Sequence, residues 1–121
     1  MQSFRELTVW QRAVQLTVST YTVTKCFPAQ ETYGLTSQMR RAAVSVASNI
    51  AEGRGRLTDG EFRQFLGVAQ GSNYELQTQI EVARQLQYAK EEQLQSMDML
   101  SSEVGKMLSA LIGTLTTSRL G

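Results

Sequence analysis

The sequence predicts an all-α chain folded as an antiparallel, up-down four-helix bundle, and three observations predict it. Apolar residues recur three or four positions apart through most of the chain, the spacing of a helix buried on one side. The breaks between these stretches are few and short. No segment keeps the strict apolar–polar alternation of a half-buried strand. At 121 residues the chain suits a single domain spanning 1–121, since a domain of about 100–150 residues buries enough surface to fold alone. Helices are expected at about 7–26, 35–53, 58–88 and 90–118.

The first helix rests on Trp10, Val14, Thr17, Tyr21 and Thr24, flanked by Ala13, Leu16 and Val18. Its β-branched residues make a strand the local rival, but the alternation is poor and the length suits a helix. Pro28, the only proline, ends it, because proline is excluded from a helix interior and biases Phe27 toward extended backbone. The second helix carries Leu35, Met39, Ala43, Val46 and Ile50. The glycines of Gly53-Arg54-Gly55-Arg56 close it, and Thr58-Asp59-Gly60-Glu61 reads as a capping box opening the third. There Phe62, Leu66, Ala69, Leu76, Ile80 and Ala83 form the stripe, with Asn73 interrupting. A weaker break at Tyr88-Ala89-Lys90 precedes a fourth stripe of Leu94, Met97, Ser101, Val104, Leu108, Leu111 and Leu115. Long helices joined by such short connections pack antiparallel.

Composition narrows the chemistry. No histidine occurs and Cys26 is the only cysteine, which removes Ser–His and Cys–His nucleophiles, His-ligated zinc and any internal disulfide. No catalytic residues, metal or cofactor are expected, and the chain reads as a non-enzyme. The amino terminus lacks the basic-then-apolar layout of a signal peptide, and no apolar run approaches the ~18 residues of a membrane span. A cytoplasmic protein without a membrane partner is expected.

The second helix also carries a polar line, Gln38, Arg41, Ser45, Asn49 and Glu52, opposite its apolar stripe. Small residues on its flanks (Ala42, Ala43, Ala47) predict that it is covered on two sides. Ser72 and Glu75 lie one turn apart on the third helix. Together Gln38, Ser45, Asn49, Glu52, Ser72 and Glu75 are expected to form a polar network at a helix or subunit interface. Gly67 and Gly71 each cost about 1 kcal/mol inside a helix, which predicts a close backbone approach there. Glu52 and Glu75 as a catalytic pair is the one enzymatic reading, and no general-acid partner or metal ligand accompanies them.

The string Gln38-Met39-Arg40-Arg41-Ala42-Ala43-Val44-Ser45-Val46-Ala47-Ser48-Asn49-Ile50-Ala51-Glu52-Gly53 resembles the signature of the bacterial 23S rRNA intervening-sequence proteins. Phe4-Arg5-Glu6-Leu7 with Val9-Trp10-Gln11 resembles that family's opening, and Phe27-Pro28, Glu31 and Tyr33-Gly34-Leu35 its first loop. Glu61-Phe62, Phe65-Leu66, Gly71-Ser72 and Glu75-Leu76 resemble its third helix. The resemblance implies a four-helix protomer assembled into a ring-like homopentamer. It also implies kinship with the accessory subunits of diversity-generating retroelements, which bind nucleic acid and a reverse transcriptase. RNA, or a nucleic-acid enzyme, is the partner it suggests.

Net charge is +1, too little to carry polyanion binding by itself, but residues 1–57 sum to +4 and residues 58–121 to −3. A basic amino-terminal half can bind phosphates locally, and a ring would repeat the patch by symmetry. Arg12, Arg40, Arg41, Arg54 and Arg56 are the candidate nucleic-acid contacts, Arg41 being the one that an interhelical carboxylate such as Glu52 or Glu75 could instead engage. The tyrosines and Trp10 are scattered in sequence and read as packing or rim residues. The alternative function is a protein–protein scaffold or accessory subunit without nucleic-acid contact.

Overall fold

Four helices, α1 (Thr8–Thr24), α2 (Leu35–Arg54), α3 (Asp59–Gln85) and α4 (Glu91–Leu120), make up the chain together with two 3-10 turns, Phe4–Glu6 and Ala29–Glu31, and no strand occurs among the described residues. The structure, a computed structural model, describes residues 3–120, with side chains through residue 116; residues 1–2 and 121 of the expected domain lie outside it. Each helix packs on the next and α1 also packs on α4. Leu16, Met39, Ile50, Leu66, Leu76, Ile80, Leu94, Met97 and Leu108 fill the centre, all fully buried. Burying a side chain of this size contributes about 1.5–3 kcal/mol.

In α1 the buried face is Val9, Ala13, Leu16, Thr20, Val23 and Thr24, of which Thr24 stands on the expected line. The face is otherwise turned by one residue from that line, so Trp10, Val14 and Thr17 are half-buried and Tyr21 is exposed. Threonine chemistry explains the turn. Thr20 and Thr24 donate their hydroxyls to the carbonyls of Leu16 and Thr20, at 2.8 and 2.7 Å, which leaves their methyl groups to pack as apolar surface. Trp10 instead meets Phe4 edge-on, with ring centres 5.2 Å apart.

The α1–α2 loop is tied down by its own side chains. Phe27 is buried against Tyr88, ring centres 5.4 Å apart. Glu31 accepts from the Leu35 amide at 3.0 Å with one carboxylate oxygen and from the Tyr88 hydroxyl at 2.8 Å with the other. Gly34 leaves room for this, since a Cβ there would sit 2.6 Å from Glu31 Oε1. The amide of Leu35 first, then the Tyr88 hydroxyl, hold the Glu31 carboxyl below its ordinary value of 4.5. A lowered folded-state value stabilises the fold fully above the unfolded value and ceases to as pH falls through the folded one. Glu31→Gln is therefore expected to melt below the wild type at neutral pH, with the gap closing as the solution is acidified below pH ~4. Thermal melts across that range check it, and a pH-independent gap contradicts it.

Both remaining connections depart in detail from expectation. Gly53 does not end α2; it lies within it, buried against Phe62 and Phe65 of α3. The helix closes one step later, where the Gly55 amide donates to Ala51 and Glu52 carbonyls. Thr58 accepts from the Glu61 amide at 3.1 Å as a cap should. Its hydroxyl also donates to the Glu61 carboxylate at 3.1 Å, so Glu61 engages the cap's side chain. After α3, Gln87 takes the left-handed conformation (φ 58°) and the Tyr88 amide reaches back to the Ala83 carbonyl at 3.1 Å. Glycine usually fills that position, and its absence is why this break reads weakly in the sequence. Arg84 then ties α3 to α4 by donating to Asp98 at 2.5 Å and Glu91 at 3.0 Å, besides Glu81 at 2.6 Å on its own helix.

Candidate nucleic-acid interface

Where the end of α1 meets the start of α2, Tyr21, Thr32, Tyr33, Thr36, Ser37, Arg40, Arg41 and Val44 line an open groove of about 420 Å³. None of these is a carboxylate. Arg40 is held: its Nε donates to Thr24 Oγ1 at 2.9 Å, and its guanidinium lies 4.6 Å from the centre of the Tyr21 ring. A guanidinium stacked on an aromatic face keeps its charge and loses little freedom on binding a phosphate. Arg41 is exposed and makes no ion pair with Glu52, Glu75 or any other described residue. Tyr33 stands almost wholly in solvent, 96% exposed, on the anchored loop. Two cations and two aromatic rings in one concave site are suited to phosphates and to the faces of bases.

The other three candidate arginines lie elsewhere. Arg12 pairs with Glu103 of α4 at 2.5 Å, so its charge is answered within the chain. Arg54 and Arg56 sit at the far end of α2, over the rings of Phe62 and Phe65 at 5.9 and 4.5 Å. Fourteen residues separate Arg40 from Arg54, roughly 21 Å of helix. The five arginines thus divide into a groove pair, a far-end pair and a paired cation. Two of the tyrosines that look scattered in sequence, Tyr21 and Tyr33, line the same groove, which spacing along the chain gave no reason to expect.

The expected polar network forms in part. Ser45 and Ser72 join α2 to α3 through their hydroxyls at 2.8 Å. Asn49 donates to the Ser45 carbonyl and hydroxyl at 2.8 and 3.0 Å, so its amide serves its own helix. Gln38 and Glu75 line a second groove of about 270 Å³ with Arg41, Ala42, Ser45 and Ser72. Glu52 is exposed. The contacts Ser45–Ser72 and Gly53–Phe65 set the register of α2 on α3, placing Glu52 near the level of Phe65 and Glu75 near that of Ser72. Phe65 and Glu75 are ten residues apart on α3, roughly 15 Å, too far for two carboxylates at those levels to share a reacting atom. Within the chain no close approach occurs at Gly67 or Gly71, where an added Cβ would meet nothing within 4 Å. Both lie on the outer face of α3.

The buried polar pair is another one. Asn73 donates to the Ser101 carbonyl at 2.9 Å and accepts from the Ser101 hydroxyl at 2.8 Å, both residues being fully buried. Gly105 lies under it, where a Cβ would come within 3.2 Å of Asn73 Nδ2. The sequence signal was there: Asn73 interrupts the α3 stripe and Ser101 stands in the α4 stripe, two polar residues at core positions. Among the described residues no group of three acidic or thiol side chains is placed to hold a metal, and no helix is long and apolar enough to cross a membrane.

A family model described as 23S rRNA-intervening sequence protein matches residues 5–110. No curated protein matches the chain. Among solved structures, a protein with unknown function from the S23 ribosomal protein family of Bacteroides thetaiotaomicron superposes with a TM-score of 0.81 at 23% identity, over 87% of this chain and 98% of that one. That likeness is one of fold.

Proposed function

Because the chain belongs to the 23S rRNA-intervening sequence protein family, we propose that it is a non-enzymatic, oligomeric four-helix protein of the cytoplasm that binds structured RNA. The observation that carries this reading is the groove where Tyr21, Tyr33, Arg40 and Arg41 converge without a carboxylate. An up-down order of helices is supported by short connections and by paired contacts that run in opposite directions along neighbouring helices, such as Asn73 with Ser101 and Arg84 with Asp98. The test is a gel-shift titration of an RNA hairpin over a salt series. Affinity is expected to fall steeply with salt, and Arg41→Gln to reduce the slope by about 1. No binding at low salt contradicts the reading.

Self-association into the homopentamer that the family resemblance implies is part of the same proposal. It is supported by the outer face of α3, where Val68, Tyr74, Val82 and Leu86 are exposed beside Gly67 and Gly71. Gly71→Leu is expected to leave the protomer folded, because nothing within the chain stands in its way, yet to reduce the assembled mass. Light scattering beside thermal melts checks this, and an unchanged mass contradicts it. The alternative, a scaffold or accessory subunit that contacts a nucleic-acid enzyme and no RNA, draws on the same face. A pull-down that survives nuclease, from protein that shifts no RNA, favours it.

A further inference from the structure

Resting on the RNA-binding reading above, we propose that the groove takes an unpaired nucleotide, with its base stacked on Tyr33 and its phosphate on Arg41. Tyr33 has 96% of its surface free although it stands on a loop that is far from loose. That loop is clamped on both sides of Tyr33 by the Glu31 carboxylate, through the Leu35 amide and the Tyr88 hydroxyl, and by Phe27 packed on Tyr88. A loop anchored in this way presents the ring from a fixed backbone position, with both of its faces open to a flat partner. Tyr21 offers less, because the Arg40 guanidinium lies over one face at 4.6 Å and the residue is 41% exposed. The two rings therefore differ in role: Tyr21 holds Arg40 in place, and Tyr33 is the open platform.

The size and chemistry of the groove favour a single residue of nucleic acid. Its volume of about 420 Å³ falls among small-ligand sites, typically about 300–1,000 Å³, the scale of one nucleotide. Paired bases hide their faces in the stack, so an aromatic platform is of use only to bases in loops, bulges and ends. Arg41 extends into solvent without an ion pair, as a phosphate contact requires, while Arg40, fixed by Thr24, adds a preset positive field. The Ser37 hydroxyl lines the groove without a hydrogen-bond partner among the described residues and is free to meet a sugar or a base edge.

Fluorescence anisotropy with two labelled probes of equal charge, an unstructured single-stranded RNA and a blunt RNA duplex, tests this. The single strand is expected to bind about tenfold tighter than the duplex, and Tyr33→Ala to remove about that factor for the single strand alone. Tyr33→Trp should restore it, since the ring matters and the hydroxyl does not. Tyr33→Ala should melt with the wild type, because its ring is solvent-exposed, which keeps loss of binding separate from loss of fold. Equal, salt-dependent affinity for both probes, unchanged by Tyr33→Ala, overturns the unpaired-base proposal and leaves RNA binding intact. Failure of both probes to bind at low salt overturns the RNA reading and this one with it.

Discussion

Asn73→Ala is expected to lower the free energy of unfolding by about 2–4 kcal/mol, the largest effect predicted for any single polar residue here. The side chain is fully buried and exchanges two hydrogen bonds with Ser101, one to its carbonyl and one from its hydroxyl. Truncation leaves that hydroxyl buried without its acceptor and opens a small void over Gly105, where a Cβ would come within 3.2 Å of the Asn73 amide nitrogen. For a chain of 121 residues the loss corresponds to a melting temperature lower by roughly 6–15 °C. Ser101→Ala should cost less, about 1–2 kcal/mol, since Asn73 keeps its bond to the main-chain carbonyl. The double variant should fall short of the sum of the two, because the residues share one interaction. Chemical denaturation of the three variants measures this; additive effects, or an Asn73→Ala protein as stable as the wild type, contradict it.

The second large effect is expected at Gly53, with a sign opposite to the usual one. Replacing a helical glycine by alanine ordinarily stabilises by about 0.5–1 kcal/mol. At Gly53 the new methyl would lie 2.6 Å from Phe65 Cβ and 3.3 Å from the Phe62 carbonyl oxygen, atoms held close to the α3 backbone. Neither can swing aside, so α2 and α3 must part. Overpacking of this kind costs about 1–3 kcal/mol, and Gly53→Ala is expected to destabilise by about 1–2 kcal/mol after the helical gain is counted. Gly67→Ala is the comparison within the protomer: nothing in the chain lies within 4 Å of its added methyl, so at dilutions where the protein is monomeric it should stabilise by a few tenths to 1 kcal/mol. Equal shifts of the same sign for both variants would show that α2 and α3 do not meet closely at Gly53.

The same pair of glycines marks how far the sequence can be read. A glycine inside a helical pattern announces that something unusual happens nearby, yet its cost is the same whether a neighbour or solvent fills the missing methyl's place. Gly67 and Gly71 suggested a close approach, and within the chain the approach lies at Gly53, which looked like a terminator. Periodicity has the same limit. It separates helix from strand over long stretches, so the helices and their stripes in α2, α3 and α4 were legible. In α1 the stripe was read one residue off, because threonines that bond their own helix pack like apolar residues.

What the sequence by itself determined is therefore the all-helical class, the short connections, the family resemblance and the poverty of catalytic side chains, all of which depend on local pattern and composition. Only the tertiary structure decided which polar groups act together. Asn73 finds Ser101 and Tyr88 finds Glu31 across tens of residues, Arg12 is neutralised by Glu103, and Tyr21 and Tyr33 come to flank Arg40 and Arg41. The physical reason is that hydrogen bonds, ion pairs and stacking reach only a few ångströms, so their partners are set by how helices cross and rotate, which is a property of the packed core as a whole.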